Sequence, residues 1–128
     1  MIDYTGLTVR DFRSRKAFYR RALAPIGYES IMELPAALTG HGDVAGFGAP
    51  PKPDFWIAGS EPNVPPVHVV FRVASCALVD AFYKAAMAAG GRDHGAPGVR
   101  PHYHANYYGA FVLDPDGHNI EAVCHDAT

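Results

Sequence analysis

The chain has 128 residues, of which 48% are hydrophobic and 19% charged. That suffices for one cored unit, is too short for two ordinary domains and excludes a disordered chain. Eleven basic against thirteen acidic residues give a net charge of −2, which excludes the dense basic patch that nucleic acid or an anionic membrane demands.

In chain order, Ile2 to Val9 reads as a strand, and Asp11 is a good cap for a helix running to Ala24 and stopping at Gly27. Strands are expected near Tyr28–Glu33, Asp43–Phe47 and Phe55–Ala58, followed by a stiff polar connector over 60–66. Val67 to Val73 alternates with period two: Val67, Val69, Phe71 and Val73 form one face, and His68, Val70 and Arg72 the other. Ser75 then caps a helix carrying Leu78, Val79, Phe82, Ala86 and Ala89 at helical spacing, which ends at Gly91. Asp93 to Asn106 is too rich in Gly, Pro and His for a regular element and is expected to be a loop. Tyr107 to Leu113 and Asn119 to Cys124 are expected to form a hairpin around the turn Asp114-Pro115-Asp116-Gly117. No apolar run reaches the roughly 18–20 residues of a membrane span, and Asp3 beside Met1 is unlike a signal peptide. With only Cys76 and Cys124 and no disulfide framework, the expected location is the cytoplasm.

The chain also repeats itself. Ala17 to Gly27 resembles Ala81 to Gly91 at an offset of 64 residues, and the cap Asp11 maps onto Ser75 and Val9 onto Val73. The chain therefore reads as an α+β protein of two βαβββ modules, about 1–59 and 67–125, packed as a single domain around a shared cleft.

Chemistry concentrates in the second module. Glu121 alternates away from Ile120 and Ala122, and His68 away from the apolar stripe of its own strand, so both look into the opposite, concave side of the sheet. A lone buried carboxylate costs several kcal/mol unless neutralised or paired. The two residues could bind a divalent metal, act as a general base and its partner, or form a structural ion pair.

Ile2-Asp3-Tyr4-Thr5-Gly6-Leu7-Thr8-Val9, Arg15-Lys16-Ala17-Phe18-Tyr19, His68-Val69-Val70-Phe71-Arg72 and, most specifically, Phe111-Val112-Leu113-Asp114-Pro115-Asp116-Gly117-His118-Asn119-Ile120-Glu121 resemble the vicinal oxygen chelate superfamily. That superfamily includes glyoxalase I, fosfomycin- and bleomycin-resistance proteins and extradiol dioxygenases. The resemblance implies a cup-shaped, partly open mixed β-barrel with helices outside, and often a homodimer. It also implies a divalent metal (Zn, Ni, Mn or Fe) held by histidines on the modules' first strands and carboxylates on their last. Carried over, the metal ligands are His68 and Glu121, with Tyr4 where many relatives have histidine, while the counterpart of Glu121 falls near Ile57, which offers no ligand. A neutral phenol is a poor ligand. Three outcomes stay open: a metal on Tyr4, His68 and Glu121, a metal completed by a loop histidine, or no metal and an acid/base set of the same three residues.

Arg100, His102, Tyr103, His104, Asn106, Tyr107 and Tyr108 form an aromatic, imidazole-rich segment. In an extended chain His102 and His104 share one side and suit a metal; alternatively the segment is a surface loop packed down as a lid. Arg100 could hold a carboxylate or phosphate, Arg72 faces the same side as His68, and Trp56 is cup wall or core. His41 and His118 lie beside turn glycines and are expected at the surface; Cys76 is expected to be buried, and Cys124 to pack under the second helix. The reading that follows is an enzyme acting on an oxygenated or aromatic small molecule, with catalytic residues Glu121, His68 and Tyr4 and metal-assisted stabilisation of an oxyanion or enediolate. The alternative is a cup that sequesters a ligand without turnover, as bleomycin-resistance proteins do.

Overall fold

A computed structural model describes residues 1–40 and 42–126. The first half runs β1 (Thr5–Val9), α1 (Phe12–Leu23), a 3-10 turn (Ala24–Ile26), β2 (Glu29–Leu34), α2 (Ala36–Thr39), β3 (Val44–Gly48) and β4 (Phe55–Gly59). The second half runs β5 (His68–Arg72), α3 (Cys76–Ala88), β6 (Arg92–Val99), β7 (Tyr108–Leu113) and β8 (Asn119–Cys124). The strand orders are β1-β4-β3-β2 and β5-β8-β7-β6, with β1–β4 and β5–β8 parallel and the other pairs antiparallel. The two βαβββ modules form an α+β cup, open rather than closed into a barrel.

The caps behave as their chemistry requires: Asp11 Oδ1 accepts from Ser14 N–H and Ser75 Oγ from Leu78 N–H. The helix ends differ by one residue. Gly27 has φ +88°, whereas in the second module the left-handed residue is Gly90, φ +109°, not Gly91.

One apolar cluster runs through both modules. Phe18, Tyr19, Ala22 and Leu23 of α1 and Val79, Phe82 and Ala86 of α3 pack with Leu7, Val9, Phe47, Phe55 and Ile57 on one sheet. Val69, Phe71, Ala110, Val112, Ile120, Ala122 and Cys124 contribute from the other. Cys124 is thus in the core as expected, while Cys76 is only half-buried.

Polar groups lock the modules together. The buried Asp114 accepts hydrogen bonds from Asp116 N–H and His118 N–H, and Tyr19 of α1 donates to its other oxygen. Arg15 of α1 forks onto Asp116 at 2.9 and 3.1 Å. His118 is fully buried, a correction to its expected surface position: its Nδ1 accepts from Val67 N–H at 2.9 Å and its Nε2 donates to Thr8 C=O at 2.9 Å. The turn glycine next to it marks a buried inter-module joint. His41 lies outside the described residues.

Residues 93–99 of the expected loop instead belong to β6 (Arg92–Val99), paired with β7 through register breaks at Asp93/Gly95 and Gly95/Gly98. An edge strand tolerates Pro97 and those glycines, because only one side of its backbone must pair.

Candidate functional site

Parallel pairing of β5 with β8 sets Val70 opposite Glu121 and His68 opposite Asn119. Alternation turns Val69, Phe71, Ile120 and Ala122 toward the helices, leaving His68 and Glu121 together on the far face. Glu121 is 1% exposed, and the His68 side chain is 48% exposed, so the carboxylate lies beneath the imidazole. His68 Nε2 is 3.0 Å from Glu121 Oε1, and Tyr107 donates its hydroxyl hydrogen bond to Oε2. An ionised carboxylate only accepts, so Nε2 is the donor of this pair, and in the neutral ring it is Nδ1 that keeps the lone pair.

Above the pair is a cavity of about 420 Å³, walled by His68 and Phe111 of the sheet, His94 of β6, and Arg100, His102 and Tyr103 of the segment between β6 and β7. That segment is a compact turn, not an extended chain: Tyr103 N–H donates to Arg100 C=O and Tyr107 N–H to His104 C=O. The two histidines therefore part, His102 to the cavity and His104 to the end of β8. His104 Nδ1 accepts from Asn106 N–H at 3.2 Å, so its Nε2–H donates to His125 Nδ1 at 2.7 Å. Tyr107 packs edge-on against both rings, 5.2 Å from His104 and 5.5 Å from His125.

The other candidates lie elsewhere. Tyr4 precedes β1, is 64% exposed and makes no hydrogen bond or ring contact among the described residues. Tyr108 donates to Asp80 of α3 at 2.7 Å, and that bond, then burial, pushes its phenol up to about 12. Arg72 lines a separate hollow with His125 and Asp126. The counterpart of Glu121 is Trp56 rather than Ile57: Trp56 stands opposite Gly6 as Glu121 stands opposite Val70. Ile57 faces the core instead.

Sequence reasoning missed His94, Phe111 and Asn119 as cavity residues. The signal was present in the repeat: the offset of 64 carries β2, Glu29–Leu34, onto residues 93–98, which demands a strand where only a loop was expected.

The donor set decides how a divalent metal would fare. His68 and Glu121 are bonded to each other, and the third group at hand, Tyr107, is a phenol that burial, with the Glu121 hydrogen bond and charge added, pushes above its ordinary value. Among the described residues no three His, Cys, Asp or Glu converge on one point. Two protein donors and a firmly neutral phenol do not fit a resident zinc, nickel, manganese or iron ion. No helix is long and apolar enough to cross a membrane.

Comparison with known proteins agrees with this architecture. The family model Glyoxalase/Bleomycin resistance protein/Dioxygenase superfamily matches residues 1–122. A glyoxalase/bleomycin resistance protein from Albidiferax ferrireducens T118 superposes with a TM-score of 0.75 at 23% identity, over 95% of this chain and 96% of that one. Lactoylglutathione lyase from Agrobacterium tumefaciens gives 0.69 at 20% identity, over 97% and 92%. A fosfomycin resistance protein, FosX, from Listeria monocytogenes, solved with Mn(II) and 1S,2S-dihydroxypropylphosphonic acid, gives 0.68 at 16% identity, over 95% and 87%. None of the curated proteins searched is significantly similar to the chain. With its paired βαβββ modules and a family match over nearly its whole length, the chain belongs to the glyoxalase/bleomycin resistance protein/dioxygenase superfamily.

Proposed function

We propose that the chain is a small-molecule enzyme of this superfamily in which His68 is the proton acceptor and Glu121 the buried carboxylate that orients it. The observation that carries this is the 1%-exposed Glu121, with one oxygen on His68 Nε2 and the other under Tyr107, beneath a cavity that His68 itself lines. Burying a carboxylate there costs several kcal/mol, which two charge-assisted hydrogen bonds offset while holding the imidazole in one tautomer. His68 Nδ1 is then the group that takes a proton from a bound substrate, and a general base so placed contributes about 10²- to 10⁴-fold. Asn119, whose Oδ1 is buried without a hydrogen-bond partner among the described residues, also lines this cavity. Tyr4 stands outside this proposal, as do Trp56, Arg72, His104 and Tyr108, and the donor set gives no reason to route a step through a metal.

The test is a screen of α-hydroxycarbonyl, epoxide and catechol compounds for turnover, repeated with His68→Asn and Glu121→Gln. Turnover that falls at least about 100-fold in both variants supports the proposal. Turnover indifferent to both overturns it. Tight binding without turnover instead favours a sequestering cup, for which the tilted His102 and Tyr103 rings, 4.2 Å apart and backed by Tyr107 at 4.8 Å from Tyr103, supply a wall.

A further inference from the structure

We propose that the ligand of this cavity carries an oxyanion group, a carboxylate or a phosphoryl or phosphonyl group, and that Arg100 is the residue that selects it. The inference rests on the reading that the cavity beside His68 is the functional site, and it names what that site takes.

Charge is the first argument. The cavity wall holds one guanidinium, three imidazoles (His68, His94 and His102) and no carboxylate. Two acids stand behind the wall and both are engaged: Glu121 is covered on both oxygens by His68 and Tyr107, and Asp93 accepts from Gly95 N–H and the Tyr83 hydroxyl. Arg100 has no ion-pair partner among the described residues: Nη2 donates to Ala96 C=O at 2.7 Å, and the guanidinium carbon lies 5.4 Å from the centre of the Phe111 ring. One of its five N–H groups is thus spoken for, and the others are left for a ligand. A guanidinium resting on an aromatic face, beside a hollow without acids, is an anion receptor waiting for its second partner.

The second argument is that the backbone is shaped around this side chain. A Cβ on Gly95 would lie 3.2 Å from Arg100 Nη2 and 2.8 Å from Phe111 Cδ1, and one on Gly98 would lie 3.0 Å from Arg100 Nη1. Gly95 also has φ +153°, which side chains rarely adopt. The register breaks of β6 fall at these two glycines. The irregularity of β6 is therefore the seat of the guanidinium: the strand gives up ladder pairing where Arg100 folds back along it. A solvated surface arginine needs no such seat.

The geometry also fixes a polarity for the ligand. Its anionic end lies at Arg100 and His102, and its reacting end at His68, because these groups line one cavity.

Binding of four probes, measured by isothermal titration calorimetry and by amide shifts in NMR spectra, tests the proposal: inorganic phosphate, methylphosphonate, lactate and the neutral lactamide. The three anions are expected to bind and lactamide not to bind, with the phosphorus and carboxylate arms showing which oxyanion is preferred. Arg100→Gln is expected to weaken anion binding by about tenfold to a hundredfold, the scale of a lost charge-assisted fork. Arg100→Lys is expected to fall between, since an ammonium is a point charge rather than a fork. Gly98→Ala, which keeps every charge and crowds only Nη1, is expected to weaken binding several-fold. Equal affinity of lactamide and lactate, binding indifferent to Arg100→Gln in a protein with unchanged thermal midpoint, or no anion binding at millimolar concentration would each overturn the proposal. The catalytic reading fails separately: anion binding that depends on Arg100, in a protein whose turnover ignores His68→Asn and Glu121→Gln, keeps the anion site and discards the base.

Discussion

The two modules share a chain path and divide the labour. At matching places on the face turned away from the helices, the second module has Phe111 opposite Glu121, and the first has Gly46 opposite Trp56. In the first module a large indole faces a glycine, whereas in the second a phenyl ring faces a carboxylate. A Cβ on Gly46 would lie 2.9 Å from the Trp56 ring, so the indole lies over the glycine and fills its half of the sheet with carbon. In the second module the same two places hold a carboxylate and an aromatic floor, with His68, Arg100 and Tyr107 gathered over them. The first module has a four-residue helix, α2, between β2 and β3, where the second has its imidazole-rich turn between β6 and β7. One copy thus fills its face with carbon, while the other holds the polar cluster proposed as the site.

Variants at equivalent places would break or sharpen this contrast. The largest effect is expected at the joint that makes the halves one body. Asp114→Ala removes the acceptor of three hydrogen bonds, two of them buried, including one from Tyr19 of the first module. It should cost about 3–5 kcal/mol in urea unfolding. A loss below about 1 kcal/mol would mean that the modules do not depend on this lock. Next, Trp56→Ala should cost about 2 kcal/mol of stability, as a half-buried aromatic. It should leave the His68 resonances in place, whereas Glu121→Gln should move them. If Trp56→Ala perturbs His68, the division of labour is false.

A smaller effect is expected in acid. Burial alone would raise the Asp116 carboxyl, but the Arg15 hydrogen bond and charge, with Arg10 N–H, outweigh it and hold the group below its ordinary value of 3.8. Its contribution to stability is therefore complete above about pH 4 and is lost as pH falls through its lowered value. Unfolding midpoints measured from pH 6 to about pH 2 should fall less steeply for Asp116→Asn than for the parent. The smallest effect is Tyr4→Phe, expected to change stability by less than about 0.5 kcal/mol and to leave ligand binding unchanged, since Tyr4 touches nothing polar among the described residues. A tenfold loss of binding would return Tyr4 to the site.

Much of this was legible in the sequence because it depends on local periodicity. The alternation of 67–73 and 119–124 placed His68 and Glu121 on one face, and Asp11 and Ser75 capped the helices they precede. What escaped depends on contacts between distant segments. His118 looks like a turn residue until Val67 N–H and Thr8 C=O close on its two ring nitrogens from 51 and 110 positions away. Trp56 stands where the offset pointed to Ile57 because the first module is one residue shorter between its first and last strands, 50 residues from Gly6 to Trp56 against 51 from Val70 to Glu121, and a shift of one exchanges the two faces of a strand. Tyr107 and Tyr108 are neighbours in an aromatic run, yet one hydroxyl reaches Glu121 and the other Asp80 on the opposite side. Strand β6 was hidden because its glycines serve the arginine lying over it rather than the ladder.

The central claim, that a buried carboxylate holds His68 as a base in one tautomer, is tested most directly by nitrogen-15 NMR of the imidazole side chains. The structure predicts that neutral His68 carries its proton on Nε2 and that this preference is lost in Glu121→Gln, while His94, which makes no hydrogen bond among the described residues, averages between tautomers like a free imidazole. A His68 that averages as His94 does, or that carries its proton on Nδ1, would contradict the claim.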